Sequence, residues 1–197
     1  APKEMFVIRP YFIFDIKFRK VTFMNNGTLK IMVIGGASVG KTTLCRQINH
    51  EDLVDVYYPA VPEDIINELD IDGQKIKFTV YDTQFGDYEK LRFVIYKQCQ
   101  AFIFIIDISN PGSINEFEAF YNEAKSSRKK EEDFIFVIVA NKVDLRSKDN
   151  SQNLIPIEKI TEIGNKYKSE VIEISAVDNI HINDTIENLI RRFINNS

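Results

Sequence analysis

The 197-residue sequence has no tryptophan, two histidines and two cysteines. Two thiols, Cys45 and Cys99, are too few for a disulfide framework, which excludes a cross-linked secreted module and favours a reducing compartment. His50 and His181 stand far apart in no metal-ligand pattern, so no zinc site is expected. Eight glycines and six prolines exclude a collagen-like or low-complexity chain. A charge excess of one sign is also missing. The 25 Lys and Arg face 29 Asp and Glu for a net −4, without the basic surplus of a nucleic-acid binder. No uncharged run nears the roughly 20 apolar residues that cross a bilayer. Arg9, Asp15, Lys17 and Arg19 interrupt the apolar N-terminal stretch, which excludes a signal-peptide core. What is present is 44% hydrophobic and 27% charged residues, enough to bury a core. The expectation is a soluble, cytoplasmic, single globular domain.

From Leu29 onward, short β-branched or aromatic runs alternate with longer amphipathic segments. Leu29 to Ile34 reads as a buried strand stopped by Gly35-Gly36, and Thr42 to Asn49 as a helix. Ile65 to Ile71 and Ile76 to Asp82 read as strands joined at Asp72-Gly73, a hairpin dipeptide. Phe102 to Ile108 and Phe134 to Ala140 are apolar enough to be strands covered on both faces. Helices are expected at Ser113 to Lys130, Ile157 to Tyr167 and about Ile182 to Ile194, with a short strand at Val171 to Ile174 and helical placement for Cys45 and Cys99. Such alternation predicts an α/β fold: a mainly parallel sheet with helices on both faces and one antiparallel edge. Ligands of such sheets bind beyond the carboxyl ends of the strands.

Residues 1–28 stand apart as an N-terminal extension to a domain spanning 29–197. Phe12, Phe14, Ile16 and Phe18 share one face of a strand, and Val21 and Phe23 resume in the opposite phase. An extra strand or hairpin packed on the domain is expected, and the alternative is a homodimer or partner surface over residues 6–24.

Gly35-Gly36-Ala37-Ser38-Val39-Gly40-Lys41-Thr42 matches G-x-x-x-x-G-K-[ST] between a predicted strand and helix. Glycines let successive N–H groups turn toward phosphate oxygens, and the helix N-terminus adds its dipole. Gly36 through Thr43 are the expected phosphate contacts, with Lys41 on the β- and γ-phosphates and the Thr42 hydroxyl on Mg²⁺. Asn141-Lys142-Val143-Asp144 follows a buried strand. A carboxylate at Asp144 can accept from both N1–H and the 2-amino group of guanine, a pair that adenine does not offer. With Asp82-Thr83 and Ser175-Ala176, these motifs make the stretch from Leu29 to Ile194 resemble the Ras superfamily of small GTPases. The resemblance implies the P-loop GTPase fold with a six-stranded sheet, bound GDP or GTP, Mg²⁺, and protein effectors or regulators at the switch regions. It also implies that Asp82 holds the Mg²⁺ shell through water and that Ser175, Ala176 and Val177 line the base. Asp87-Tyr88-Glu89-Lys90-Leu91-Arg92 and Tyr57-Tyr58-Pro59 look Rho-like, although the stretch from Asn141 to Ser175 is short for the extra helix of Rho proteins. Members of the superfamily usually end in a lipidated cysteine. This sequence ends Ile194-Asn195-Asn196-Ser197, so peripheral membrane attachment is expected only if the natural tail runs further.

The sequence departs from that family at both switches. Where the family has a threonine that ligates Mg²⁺ and meets the γ-phosphate, this chain has Ala60, and no Ser or Thr occurs between Thr43 and Thr79. Where the family reads D-T-A-G-Q-E, this chain reads Asp82-Thr83-Gln84-Phe85-Gly86-Asp87. Gln84 is the one amide near the place of the water-orienting glutamine, two positions early. The expected catalytic set is thus Lys41 and Thr42, with Gln84 as the only replacement available. Three further departures involve the phosphate loop and the base. Ala37 replaces a glycine that an incoming arginine finger would approach, Leu53 replaces a phenylalanine that stacks on guanine, and Val177 replaces the lysine of S-A-K. The expectation is a guanine-nucleotide binder with slow hydrolysis and a weakened first switch. The alternative is a GDP-held scaffold that cleaves nothing.

Overall fold

The computed structural model describes residues 27–53, 65–83, 89–128, 135–147 and 153–196. Strand β1 (Thr28–Ile34) leads through the Gly35–Gly40 loop into helix α1 (Lys41–Ile48). Strands β2 (Asn67–Ile71) and β3 (Gln74–Asp82) pair antiparallel across Asp72-Gly73, both with positive φ. That is the mirror-image turn whose twist suits a two-residue hairpin. Helix α2 (Glu89–Gln98), strand β4 (Ala101–Asp107) and helix α3 (Ser113–Ser126) follow. Strand β5 (Ile135–Asn141) runs into a 3₁₀ turn, Val143–Ser147. Helix α4 (Ile157–Tyr167), strand β6 (Val171–Ile174) and helix α5 (Ile182–Asn195) complete the order.

The six strands lie in the order β2-β3-β1-β4-β5-β6, all neighbours parallel except β2 with β3. This is the expected six-stranded sheet with one antiparallel edge. All seven residues of β4 and all seven of β5 are buried, as their uninterrupted apolar runs require in strands covered on both faces. Side-chain alternation divides the core in two. Leu29, Ile31, Val33, Ile103 and Ile105 meet Leu44 and Ile48 of α1 and Ile186, Leu189, Ile190 and Phe193 of α5. The opposite face is aromatic, where Phe102, Phe104 and Phe136 pack with Tyr96 of α2, Phe117 of α3 and Ile160 of α4. Phe104 meets Phe117 edge to face at 5.6 Å, and Phe117 meets Tyr167 at 4.9 Å.

Several boundaries differ from the sequence reading. Thr28 belongs to β1 rather than to the extension, and Lys41 is already helical. Helix α3 stops at Ser126, where the hydroxyls of Ser126 and Ser127 turn back onto the carbonyls of Glu123 and Ala124. Cys99 is not helical, because α2 ends one residue before it. Both thiols are buried, and burial pushes the Cys99 thiol up to about 12 and the Cys45 thiol well above its ordinary range. Residues 1–26 and the switch positions Ala60, Gln84, Phe85 and Gly86 lie outside the described residues. Among the described residues, no helix is long and apolar enough to cross a membrane.

Candidate functional site

Parallel pairing puts the carboxyl ends of β1, β3, β4, β5 and β6 along one edge of the sheet. Val33 pairs with Asp82, Asp107 with Asn141, and Asn141 with Ile174. Residues that the sequence spreads from Gly35 to Val177 therefore converge there.

The phosphate loop turns at Gly35 and Gly40. A Cβ on Gly35 would lie 2.6 Å from both the carbonyl oxygen and Cγ2 of Ile105, so only glycine lets the loop leave β1 this close to β4. Gly40 has φ 101, and a Cβ there would run into the Asn141 amide. Gly36 is different, since the space beside it is filled by the carboxylate of Glu116, an exposed side chain in the first turn of α3. Ala37 and Ser38 are exposed at the loop tip, and Val39 is buried beneath it. Lys41 donates from Nζ to the Gly36 carbonyl at 2.5 Å. Burial lowers this ammonium from the ordinary lysine range, against the pull of Asp82 and, more weakly, Glu116.

Beside Lys41, the Thr42 hydroxyl donates to Asp82 Oδ2 at 2.6 Å. Thr83 steadies that strand end by donating from Oγ1 to the Val33 carbonyl at 2.7 Å. A hydroxyl and a carboxylate in contact form a hard-oxygen donor set that suits Mg²⁺, which keeps most of its water and takes few protein ligands. Thr42 would ligate the ion and Asp82 would hold its water. Among the described residues, no group of three His, Cys, Asp or Glu gathers at any point.

On the other side of the loop, Asn141 braces three segments. Its Nδ2 donates to the Val39 carbonyl at 2.8 Å, and its Oδ1 accepts from the Ala176 N–H at 3.0 Å. Gln47 of α1 donates to the Ala176 carbonyl at 3.0 Å. The Ser175 hydroxyl donates to Asp144 Oδ1 at 2.8 Å and accepts from the Asp178 N–H at 3.1 Å. Lys142 has φ 76, and its Nζ reaches Asp107 Oδ2 at 2.5 Å. The predicted residues Lys41, Thr42, Asp82, Asn141, Lys142, Asp144, Ser175 and Ala176 thus stand together. Val177 is 64% exposed and Leu53 is 44% exposed, so both present apolar surface to solvent.

The sequence reading missed several residues here. Asp107 is buried, takes the Lys142 ion pair, and accepts from the N–H and hydroxyl of Ser109 at 2.8 and 2.7 Å. Its signal in the sequence was a lone carboxylate inside the apolar run Phe102 to Ile108. Arg146 and Glu173 were missed too; they pair across 27 positions, a separation that carries no local pattern.

Fold and site define a phosphate-loop nucleotide-binding protein with a second strand-end loop of the N-K-x-D type. The chain matches the Ras family model over residues 30–195, and it belongs to that family of GTP-binding small GTPases. It is 26% identical over 171 residues to Ras-related protein Rab-18 of Lymnaea stagnalis, covering 85% of this chain and 81% of that protein. It is 28% identical over 123 residues to Rho-related GTP-binding protein RhoB of Homo sapiens, covering 61% of each chain. The match thus spans less than two thirds of RhoB, and the likeness to the Rho branch is weak.

Proposed function

We propose that this chain binds GDP and GTP with Mg²⁺, cleaves GTP slowly, and engages protein partners at its switch regions with a first switch that responds weakly to the γ-phosphate. The observation that carries nucleotide binding is the convergence of Lys41, the Thr42–Asp82 pair and the Asp144–Ser175 pair on one sheet edge. The weak response rests on Ala60. A methyl group supplies no oxygen to Mg²⁺, and the segment from 44 to 78 holds no serine or threonine to take its place. Slow cleavage rests on the second switch, where Gln84 is displaced from the water-orienting position.

Within this reading, Asp144 accepts the two guanine donors. The Asn141 bracing keeps the Ala176 backbone in line with the base, and Lys41 neutralises charge on the outer phosphates. Mg²⁺, held by Thr42 and through water by Asp82, would offset the charge of the phosphates. Ala37 at the loop tip places a methyl where an arginine supplied by a partner would approach, so partner-stimulated cleavage is expected to be weak.

Single-turnover cleavage of GTP tests this reading. Slow cleavage is expected, abolished by Lys41→Ala and unchanged by Gln84→Ala. Tight binding with no cleavage over many hours would replace it with the GDP-held scaffold. Failure to bind guanine nucleotides would end both.

A further inference from the structure

The turn that carries Asp144 is weakly anchored, with its two apolar residues, Val143 and Leu145, only half-buried. Val143–Ser147 is a single 3₁₀ turn with no buried residue. Such turns have poorer hydrogen-bond geometry than an α-helix and are easily deformed. It follows Lys142, whose φ of 76 is a conformation that L residues rarely adopt. A carboxylate that discriminates bases must nevertheless be held within a few tenths of an ångström.

Arg146 supplies the missing constraint. Its guanidinium donates to Glu173 Oε1 from Nε at 2.9 Å and from a terminal nitrogen at 2.5 Å, and to the Ile155 carbonyl at 3.0 Å. Both partner side chains are largely withdrawn from water, at 28% and 23% exposure. Glu173 lies on β6, two residues before Ser175, whose hydroxyl bonds Asp144. The N–H of Ile155 in turn donates to the Ile108 carbonyl at 2.7 Å, just beyond Asp107. One planar fork therefore fixes the 3₁₀ turn against β6 and the exit of β4, the two places that present Ser175 and Lys142's partner Asp107. A lysine at 146 could not make both sets of contacts.

We infer that Arg146 and Glu173 form a positioning pair that sets guanine selectivity, holding the Asp144 carboxylate in register with the Ser175–Val177 turn without touching the nucleotide. This inference rests on the assignment of Asp144 to the guanine edge. Inosine diphosphate lacks only the 2-amino group, so the ratio of GDP to IDP affinity reports how well Asp144 is placed. Loss of general stability would lower both affinities together and leave that ratio alone.

The test measures both affinities on the full chain by displacement of a fluorescent GDP, alongside thermal unfolding to establish that each variant is folded. Arg146→Gln and Glu173→Gln should each lower the ratio about tenfold, or 1.4 kcal/mol. The double variant should lose no more than the worse single one, because the two residues act as one unit. Either single variant reads the effect if the other fails to fold. A wild-type ratio in a folded variant, or losses that multiply to about a hundredfold in the double variant, would overturn the pairing. A wild-type chain that binds GDP and IDP equally would instead refute the role of Asp144 on which the pairing depends.

Discussion

The two halves of the site are held in place by different means. The phosphate loop is fixed by backbone, since Gly35 lies against the Ile105 carbonyl, Gly40 turns at positive φ beside Asn141, and Val39 anchors the loop in the core. The base-reading turn has no buried residue and is fixed by side chains: Lys142 to Asp107, Ser175 to Asp144, Arg146 to Glu173. Atoms of the backbone tolerate no replacement except by removing side chains, which is why the first half is written in glycine. Polar ties tolerate many local sequences but need partners far along the chain. The first half should therefore fail when a methyl group is added at Gly35 or Gly40, and the second when a charge is removed.

The largest expected effect comes from Gly40→Ala. Positive φ strains an alanine by about 1–3 kcal/mol, and its methyl group displaces the Asn141 amide that braces both halves. Urea unfolding should show the loss, and GDP binding should fall beyond what the lost stability explains. Next is Asp144→Asn, which leaves the phosphate loop intact. Hydrogen bonds to a charged acceptor are worth about 1.5–3 kcal/mol, so GDP affinity should fall roughly 10- to 100-fold. Affinity for inorganic pyrophosphate with Mg²⁺ should not change. A smaller gain is expected from Leu53→Phe, where an aromatic ring would cover the base better than an exposed leucine. Ring contacts are worth about 0.5–1.5 kcal/mol, or up to about tenfold slower GDP release in a fluorescence chase. The smallest effect belongs to Gly36→Ala. The nearest atoms to the new methyl group are those at the free end of the exposed Glu116 side chain, which can swing away, so unfolding should shift by less than about 0.5 kcal/mol. A loss as large as that of Gly40→Ala would mean that Glu116 is fixed and that the loop is buttressed from α3.

Legibility in the sequence follows the same division. Spacing alone revealed Gly35 to Thr42, because strand, glycines, lysine and hydroxyl follow one another without a gap. Asn141 to Asp144 was legible for the same reason, and the period-2 and period-3.6 patterns placed α4 and β6 to the residue. Burial on both faces of β4 and β5 could be read from unbroken apolar runs. The supports of the base turn could not be read. Asp107 reaches Lys142 across 35 positions and Arg146 reaches Glu173 across 27, distances set by strand order rather than by any local pattern. Strand order itself depends on which helices cross which face, and no short window of residues records that. The end of α2 before Cys99 was missed because Lys97-Gln98-Cys99-Gln100 holds no glycine or proline to mark the break before β4. Only the tertiary fold separates the two elements.

The most direct test of the central claim is the affinity of nucleotide-stripped protein for GDP and for a non-hydrolysable GTP analogue, each with and without Mg²⁺. Alanine at position 60 has no side-chain hydroxyl to give the ion, so on the proposed reading the two nucleotides should bind with affinities within about tenfold of each other. Mg²⁺ should strengthen the analogue no more than it strengthens GDP. Analogue binding that is much tighter than GDP binding, and that collapses when Mg²⁺ is chelated, would contradict the account. It would mean that another group grips the γ-phosphate and that the first switch works as it does elsewhere in the family.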